Sequence, residues 1–378
     1  MNQLTKNVRF YEIDLLRFIA AIAVVFYHYT FVGNVDSPEL VRVTYPVLAE
    51  YTRYSYLGVN LFFLISGFVI LLSAHNRSAI EFASSRFVRL YPAFWASVSL
   101  TAIGLYFFGG SFFSVTIPQY LMNMTMISGY IDIKQIDGVY WTLLIELVFY
   151  TLIFLLLLFK MIRYIELFLA IWLGIVILSL IVTPLPFLVR FFFFPEWAPY
   201  FISGSLFYLI YAKGLDLTRG LLLFSSYLLA IYFSVVEVGL LKVELNSYFN
   251  SLVPVIWVSI FFLIFILIIS HKTQWIRSAN LVKIGLLTYP LYLIHANLGY
   301  LVFNHFAGSI DKYLLLFLII SFMLTLSWLI HYLIEKPLAK FLKRMINMLL
   351  NSALFKSKSN FNKEKHAKNI HYQRPSTG

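Results

Sequence analysis

The sequence predicts an all-α membrane protein, a polytopic bundle of about ten transmembrane helices with both termini in the cytoplasm. Three observations carry that reading. Of 378 residues, 61% are hydrophobic and only 12% are charged, the latter about half of the roughly 25% found in soluble domains. The apolar residues fall in runs of roughly 20, the length that crosses a bilayer. Lys and Arg gather in alternate loops, as in membrane proteins of fixed orientation. A mean hydropathy of +0.82 excludes a soluble enzyme, and the same apolar content excludes a disordered chain.

The ten segments fall near 11–33, 55–73, 91–108, 140–159, 164–182, 197–212, 219–237, 252–270, 284–303 and 313–334. The first is no cleavable signal peptide, because Glu12, Asp14 and Arg17 lie at or inside its start and no small-residue cleavage site follows. The second and third flank a basic loop that carries Arg77, Arg86 and Arg89. The fourth closes at Lys160, and the fifth follows Arg163. The sixth gives the weakest signal, since Pro195, Pro199 and glycine interrupt it. The seventh starts at Arg219, the eighth ends before Lys272, the ninth follows Lys283 and the tenth follows Lys312.

With the N-terminus inside, the cytoplasmic loops and tail hold 22 Lys/Arg and the outer loops hold six. The bias persists without the tail, and an even number of spans returns the C-terminus to the cytoplasm. From Lys336 to Arg374 there are ten Lys/Arg against one acid, Glu364. Residues 1–340 are therefore expected to form the membrane domain, and 341–378 a basic, unfolded cytoplasmic tail that touches anionic lipid. No aromatic-interleaved motif accompanies those charges, so nucleic acid is not an expected partner. With no cysteine, disulfides, thiolate metal sites and a catalytic thiol are excluded.

An ionisable group inside a span costs several kcal/mol unless paired or hydrated, so each is a functional candidate. Span one has Asp14, Arg17 and His28, span four Glu146, and span nine His295. His28 lies roughly 7 Å below the outer surface, and Glu146 roughly 10 Å below it. The two can thus meet between helices. Arg17 is eleven residues from His28, about three turns, so both share one face of the first helix. A neutral imidazole suits a general base, with Glu146 holding the ring or pairing with Arg17. The competing reading makes each a structural contact.

Arg86 and Arg89, at i and i+3, point the same way on a helical turn. Two guanidinium forks suit phosphate oxygens, although for a bare R-x-x-R a topological anchor is the favoured reading. His331 and Glu335 share a face and read as a helix end above Pro337. Two groups do not make a metal site. No Walker loop, G-x-G-x-x-G, G-x-S-x-G or H-E-x-x-H occurs.

Taken in order, these residues resemble the acyltransferase-3 family of bacterial membrane O-acyltransferases. The resemblance runs over roughly residues 8–340. It starts with Asp14, Leu15, Leu16 and Arg17, then Tyr27 and His28. Gly58 to Phe63 with Ser66, Gly67 and Phe68 follow, then Arg86 to Pro92. Trp141, Leu143, Glu146, Phe149 and Tyr150 come next, then Tyr289 to His295 and Glu335 to Pro337. One departure is Asn60, where the family often has an acid. Another is that no periplasmic esterase-like domain is expected, since the stretch after residue 340 is short and basic.

The resemblance implies an acyl-CoA donor, most often acetyl-CoA, and a hydroxyl acceptor on a cell-surface or lipid-linked glycan. It implies a multi-pass protein of the inner membrane with no resident metal or cofactor. His28 and Glu146 are the expected catalytic pair. Arg17, Arg86 and Arg89 are expected to bind acyl-CoA. Asp14, Asn60, Tyr140, Trp141 and His295 are expected to bind substrate or support the site. The alternative is a transporter or exporter of a glycan or lipid-linked intermediate, which a polar seam would also serve.

Overall fold

The computed structural model describes residues 9–35, 41–110, 114–182, 184–276 and 278–350. The described residues form helices and no strand. The bundle is built from α1 (Tyr11–Tyr27), α2 (Leu57–Ala74), α3 (Ala79–Phe108), α4 (Trp141–Leu158), α5 (Ile165–Leu178), α6 (Ala198–Lys213), α7 (Leu217–Glu244), α8 (Leu252–Ile269), α9 (Ala279–Ile294), α10 (Asn297–Phe306) and α11 (Lys312–Leu329). Backbone groups in hydrocarbon must bond within their own segment, which is why every apolar run closes into a helix.

Eight helices among the described residues are long and apolar enough to cross a membrane, or nine if the bent pair α9–α10 counts as one span. That is fewer than the ten expected, and α6 accounts for the difference. It has 16 residues, about 24 Å, short of the ~30 Å hydrocarbon core. Every residue from Ala198 to Leu209 is buried, so protein surrounds it and it need not match the lipid thickness. Pro199 sits in its first turn, where the missing N–H is harmless. The ninth segment is broken rather than continuous, with α9 and α10 meeting at 74°.

Helix α6 packs so closely on α2 that only glycine fits at the crossing. A Cβ on Gly204 would lie 2.0 Å from the Leu64 carbonyl oxygen, and one on Gly67 would lie 2.2 Å from that of Phe201. Small residues let helix backbones meet in membranes, where apolar burial does not drive association. Gly204→Leu should therefore remove the folded protein from detergent extracts, at a cost above the ~1–3 kcal/mol of ordinary overpacking, because the obstacle is backbone. Gly239→Leu, in open space on α7, is the control. Equal monodisperse yields for the two variants in gel filtration would refute this account of the crossing.

The loops sort into two sets. At one end Thr273 donates to Glu12 at 2.9 Å, and Lys213 and Arg219 reach Glu166 at 2.7 and 3.1 Å. At the other, the Tyr45 hydroxyl donates to the Lys312 carbonyl at 2.6 Å, and the Arg42 N–H donates to Asn304 at 3.2 Å. The first set carries most of the Lys and Arg and is called the basic end below. Helix α11 runs on through a π-helical stretch, Ile330–Glu335, to Leu350. The tail expected from residue 341 thus begins as helix, and residues 351–378 lie outside the described residues.

Candidate active site

A cavity of about 120 Å³ opens among α1, α2, α3, α4 and α9. Arg17 comes from α1, Ser66 from α2, Arg86 and Arg89 from α3, Glu146 and Tyr150 from α4, and Gly285, Tyr289 and Tyr292 from α9. The i, i+3 spacing on α3 delivers both of its arginines to this one space. All three arginines expected to act together are therefore neighbours.

The three guanidinium groups are not equivalent. Arg89 is spent within the protein. It pairs with Glu335, whose other oxygen meets the His331 ring at 2.9 Å. The π-helical stretch that carries His331 and Glu335 packs beside α3, so these two residues anchor Arg89 rather than end a helix. Arg17 lines the same cavity, with the carboxylates of Asp14 and Glu146 as its electrostatic partners. Among the described residues, the Nε of Arg86 is buried without a partner, and its Nη2 reaches Ser85 at 3.3 Å. The Tyr289 hydroxyl on the cavity wall is likewise buried and unpartnered. The one carboxylate in the wall, Glu146, accepts from Ser66. The cavity thus offers guanidinium N–H groups in excess of its internal acceptors, which is the chemistry of an anion site.

His28 lies outside this wall. It starts a π-helical stretch, His28–Val32, and its ring meets that of His295 edge-on at 4.9 Å. The expected contact between His28 and Glu146 does not form. Glu146 sits one turn of α4 farther in than Thr142, which bonds Tyr292 at 2.8 Å, and it faces Ser66 and the arginines. The break between α9 and α10 brings His295 to His28 instead. Tyr292 separates the two regions. It lines the arginine cavity, and its ring is 5.6 Å from that of His295.

The hydrogen bonds assign the tautomers of both rings. His28 Nδ1 faces the Val24 carbonyl at 2.9 Å, and His295 Nδ1 faces the Tyr292 carbonyl at 2.8 Å. A carbonyl only accepts, so in the neutral rings both Nδ1 atoms carry the proton. His295 Nε2 then holds a lone pair and shares the one His28 Nδ1–H with the Val24 carbonyl, at 3.2 Å. This leaves Nε2 of His28 as the bare, basic nitrogen. The pair is a base with its tautomer held by a carbonyl and by a second imidazole.

The break itself is fully braced. The Tyr29 hydroxyl donates to the His295 carbonyl at 2.7 Å, and the Tyr140 hydroxyl donates to the Leu293 carbonyl at 3.2 Å. Asp137 accepts the Asn297 and Val139 N–H groups at 2.9 and 3.2 Å. Burial pushes the Asp137 carboxyl up to about 7, against the pull of those two bonds. A broken membrane helix needs such replacements for its lost ladder bonds.

The remaining expected residues divide. Tyr140 braces the His295 segment. Asp14 pairs with Arg9 at 2.9 Å and lies against Gly285, away from a direct bond to Arg17. Asn60 faces Tyr200 at 3.0 Å and Glu237 at 3.4 Å. Trp141 is 37% exposed and packs on Trp197 and Phe63, outside the cavity wall. Asp137 and Glu237 were missed from the sequence. Glu237 marked the end of an expected span, but α7 continues seven residues further to Glu244. The only sequence signal was an acid in an otherwise apolar stretch.

A family described as an acyltransferase domain, acyltransferase-3, matches residues 10–332. The chain is 32% identical over 155 residues to nodulation protein 10 of Rhizobium leguminosarum bv. viciae, an alignment spanning 35% of this chain and 40% of that protein. No solved structure matches.

Proposed function

The chain belongs to the acyltransferase-3 family, and from that premise we propose that it moves an acyl group, acetyl above all, from acyl-CoA to a hydroxyl of a cell-surface or lipid-linked glycan. It would do so from the inner membrane of a bacterial cell. The observation that carries the donor is the arginine cavity at the basic end. The Nε of Arg86 is buried with no partner among the described residues, and Arg17 lines the same cavity. CoA is a cytoplasmic polyanion, and the Lys/Arg bias supports a cytoplasmic position for the basic end.

The reaction is thioester to ester exchange. The acceptor oxygen attacks the acyl carbonyl carbon, and its proton passes to Nε2 of His28. The carbon–sulfur bond then breaks, and the CoA thiolate takes the proton from the imidazolium. His295 and the Val24 carbonyl hold the ring so that Nε2, not Nδ1, meets the hydroxyl. Glu146, held by Ser66, stands among the arginines, where it orients the guanidinium groups around the donor. Positioning of both reactants accounts for most of the expected acceleration.

The reading is tested with membranes that contain the protein. They should release free CoA from acetyl-CoA when envelope glycan is added and incorporate labelled acetyl into it. Glycan crossing the membrane without CoA release would favour a transporter and overturn the enzyme.

A further inference from the structure

A second polar cluster lies within the bundle, formed by residues that do not line the arginine cavity. Gly58 brings the start of α2 against α1, where a Cβ would meet the Ala20 carbonyl oxygen at 2.7 Å. The Tyr27 ring therefore touches both neighbours, with centroids 5.4 Å from His28 and 5.7 Å from Tyr56. Tyr56 has Glu237 and Tyr200 as its electrostatic neighbours. Glu237 projects from α7, about 10 Å from its end, and Asn60 links it to the Tyr200 hydroxyl. Polar side chains thus lie between the base histidine and a carboxylate, joined by ring contacts as far as Tyr56 and by hydrogen bonds from Asn60 to Glu237.

The cluster has more bonding capacity than it uses. A carboxylate has about four acceptor positions, and among the described residues Glu237 takes one bond, at 3.4 Å from Asn60. Tyr56 is 6% exposed, and its hydroxyl is buried with no partner among the described residues. In apolar surroundings an unpaired polar group carries the full penalty of its lost hydration. A ligand that brings its own hydroxyls relieves both deficits, since each hydroxyl donates once and accepts twice. The aromatic rings of Tyr27 and Tyr56 supply the apolar faces that a sugar ring presents its C–H groups to. Simple anions do not fit beside Glu237, and a purely apolar ligand leaves its carboxylate and the Tyr56 hydroxyl unanswered.

We infer that Tyr56, Asn60 and Glu237 form the acceptor subsite, which binds sugar hydroxyls and delivers one of them past Tyr27 to His28. This deepens the function proposed above and rests on it for the identity of the reaction. It also explains why the cluster adjoins His28 rather than the arginine cavity.

Tyr56→Phe tests it cleanly, because it removes only a hydroxyl that has no internal partner. A structural role predicts unchanged or improved stability and unchanged kinetics. The subsite predicts an acceptor KM raised about 2- to 10-fold, with the KM for acetyl-CoA unchanged. Glu237→Gln should raise the acceptor KM more, by about 10- to 100-fold, since a charge-assisted bond is stronger. Binding is read separately by saturation-transfer NMR on the full-length protein in detergent. The probes are the methyl glycosides of glucose, galactose and N-acetylglucosamine. Transfer to at least one glycoside in wild type, reduced in both variants, supports the subsite. If that holds while no CoA is released in any assay, the acyltransfer reading fails and the subsite stands. No transfer in wild type, or equal transfer and equal acceptor KM in all three proteins, overturns the subsite.

Discussion

His28→Ala should lower acyl transfer to glycan by about 10²–10⁴-fold, the usual loss on removing a general base, while acyl-CoA binding stays at the wild-type level. The separation of effects follows from geometry. His28 is no part of the cavity that Arg17 and Arg86 line, and Tyr292, which does line it, packs on His295. Labelled acetyl incorporated into envelope glycan gives the rate, and equilibrium binding of a non-hydrolysable acetyl-CoA analogue gives the affinity. His295→Ala should fall between wild type and His28→Ala. It removes the acceptor at 3.2 Å but leaves the Val24 carbonyl to hold the tautomer. Glu146→Gln should change the donor KM more than it changes the base, because Glu146 faces the arginines. Full activity in His28→Ala at normal expression would remove the base from the mechanism. A larger loss of kcat in Glu146→Gln than in His28→Ala would make Glu146 the proton acceptor.

Arg17→Ala and Arg86→Ala should each weaken acyl-CoA binding by about 30- to 4,000-fold, the range for truncating one side of a buried charge pair. Arg89→Ala should behave differently. Its guanidinium already pairs with Glu335, a residue 4% exposed. Removing it leaves a buried carboxylate with only His331 beside it, which destabilises strongly. The expected result is a lower yield of folded protein for Arg89→Ala, with Arg89→Ala/Glu335→Gln recovering part of it. Lys in place of Arg17 or Arg86 keeps the charge but loses the planar fork, so it should rescue only partly. Binding titrations and melting curves on the same preparations separate the two classes. Wild-type donor affinity in both Arg17→Ala and Arg86→Ala would leave the cavity without a phosphate role.

The contrast between those arginines shows where sequence reading stops. The spacing of Arg86 and Arg89 placed both on one helix face, and the cavity bears that placement out. Nothing in R-x-x-R tells that one partner is consumed by Glu335, which lies 246 residues away. The depth count along α1 and α4 put His28 and Glu146 at similar levels, but depth along an axis leaves rotation free. The two helices present those residues to different neighbours, and His295 takes the place expected of Glu146.

Composition, run length and charge bias by themselves determined the all-helical membrane architecture. Apolar surface and unsatisfied backbone leave a long apolar run no other stable form in lipid. The ordered motifs from Asp14 to Pro337 determined the family as well, and with it the short list of residues worth watching. Tertiary structure alone decided which of them meet. It made α6 a short, enclosed helix because protein rather than lipid surrounds it. It broke the ninth segment at His295, with Tyr29, Tyr140 and Asp137 replacing the lost ladder bonds. It set Glu237 beside Asn60, supplying from α7 an acid that α2 lacks at that position. Those outcomes depend on helix rotation and on close approach at glycines such as Gly58, Gly67 and Gly204. They are contacts between distant segments, and a linear pattern of hydropathy and charge carries no record of them.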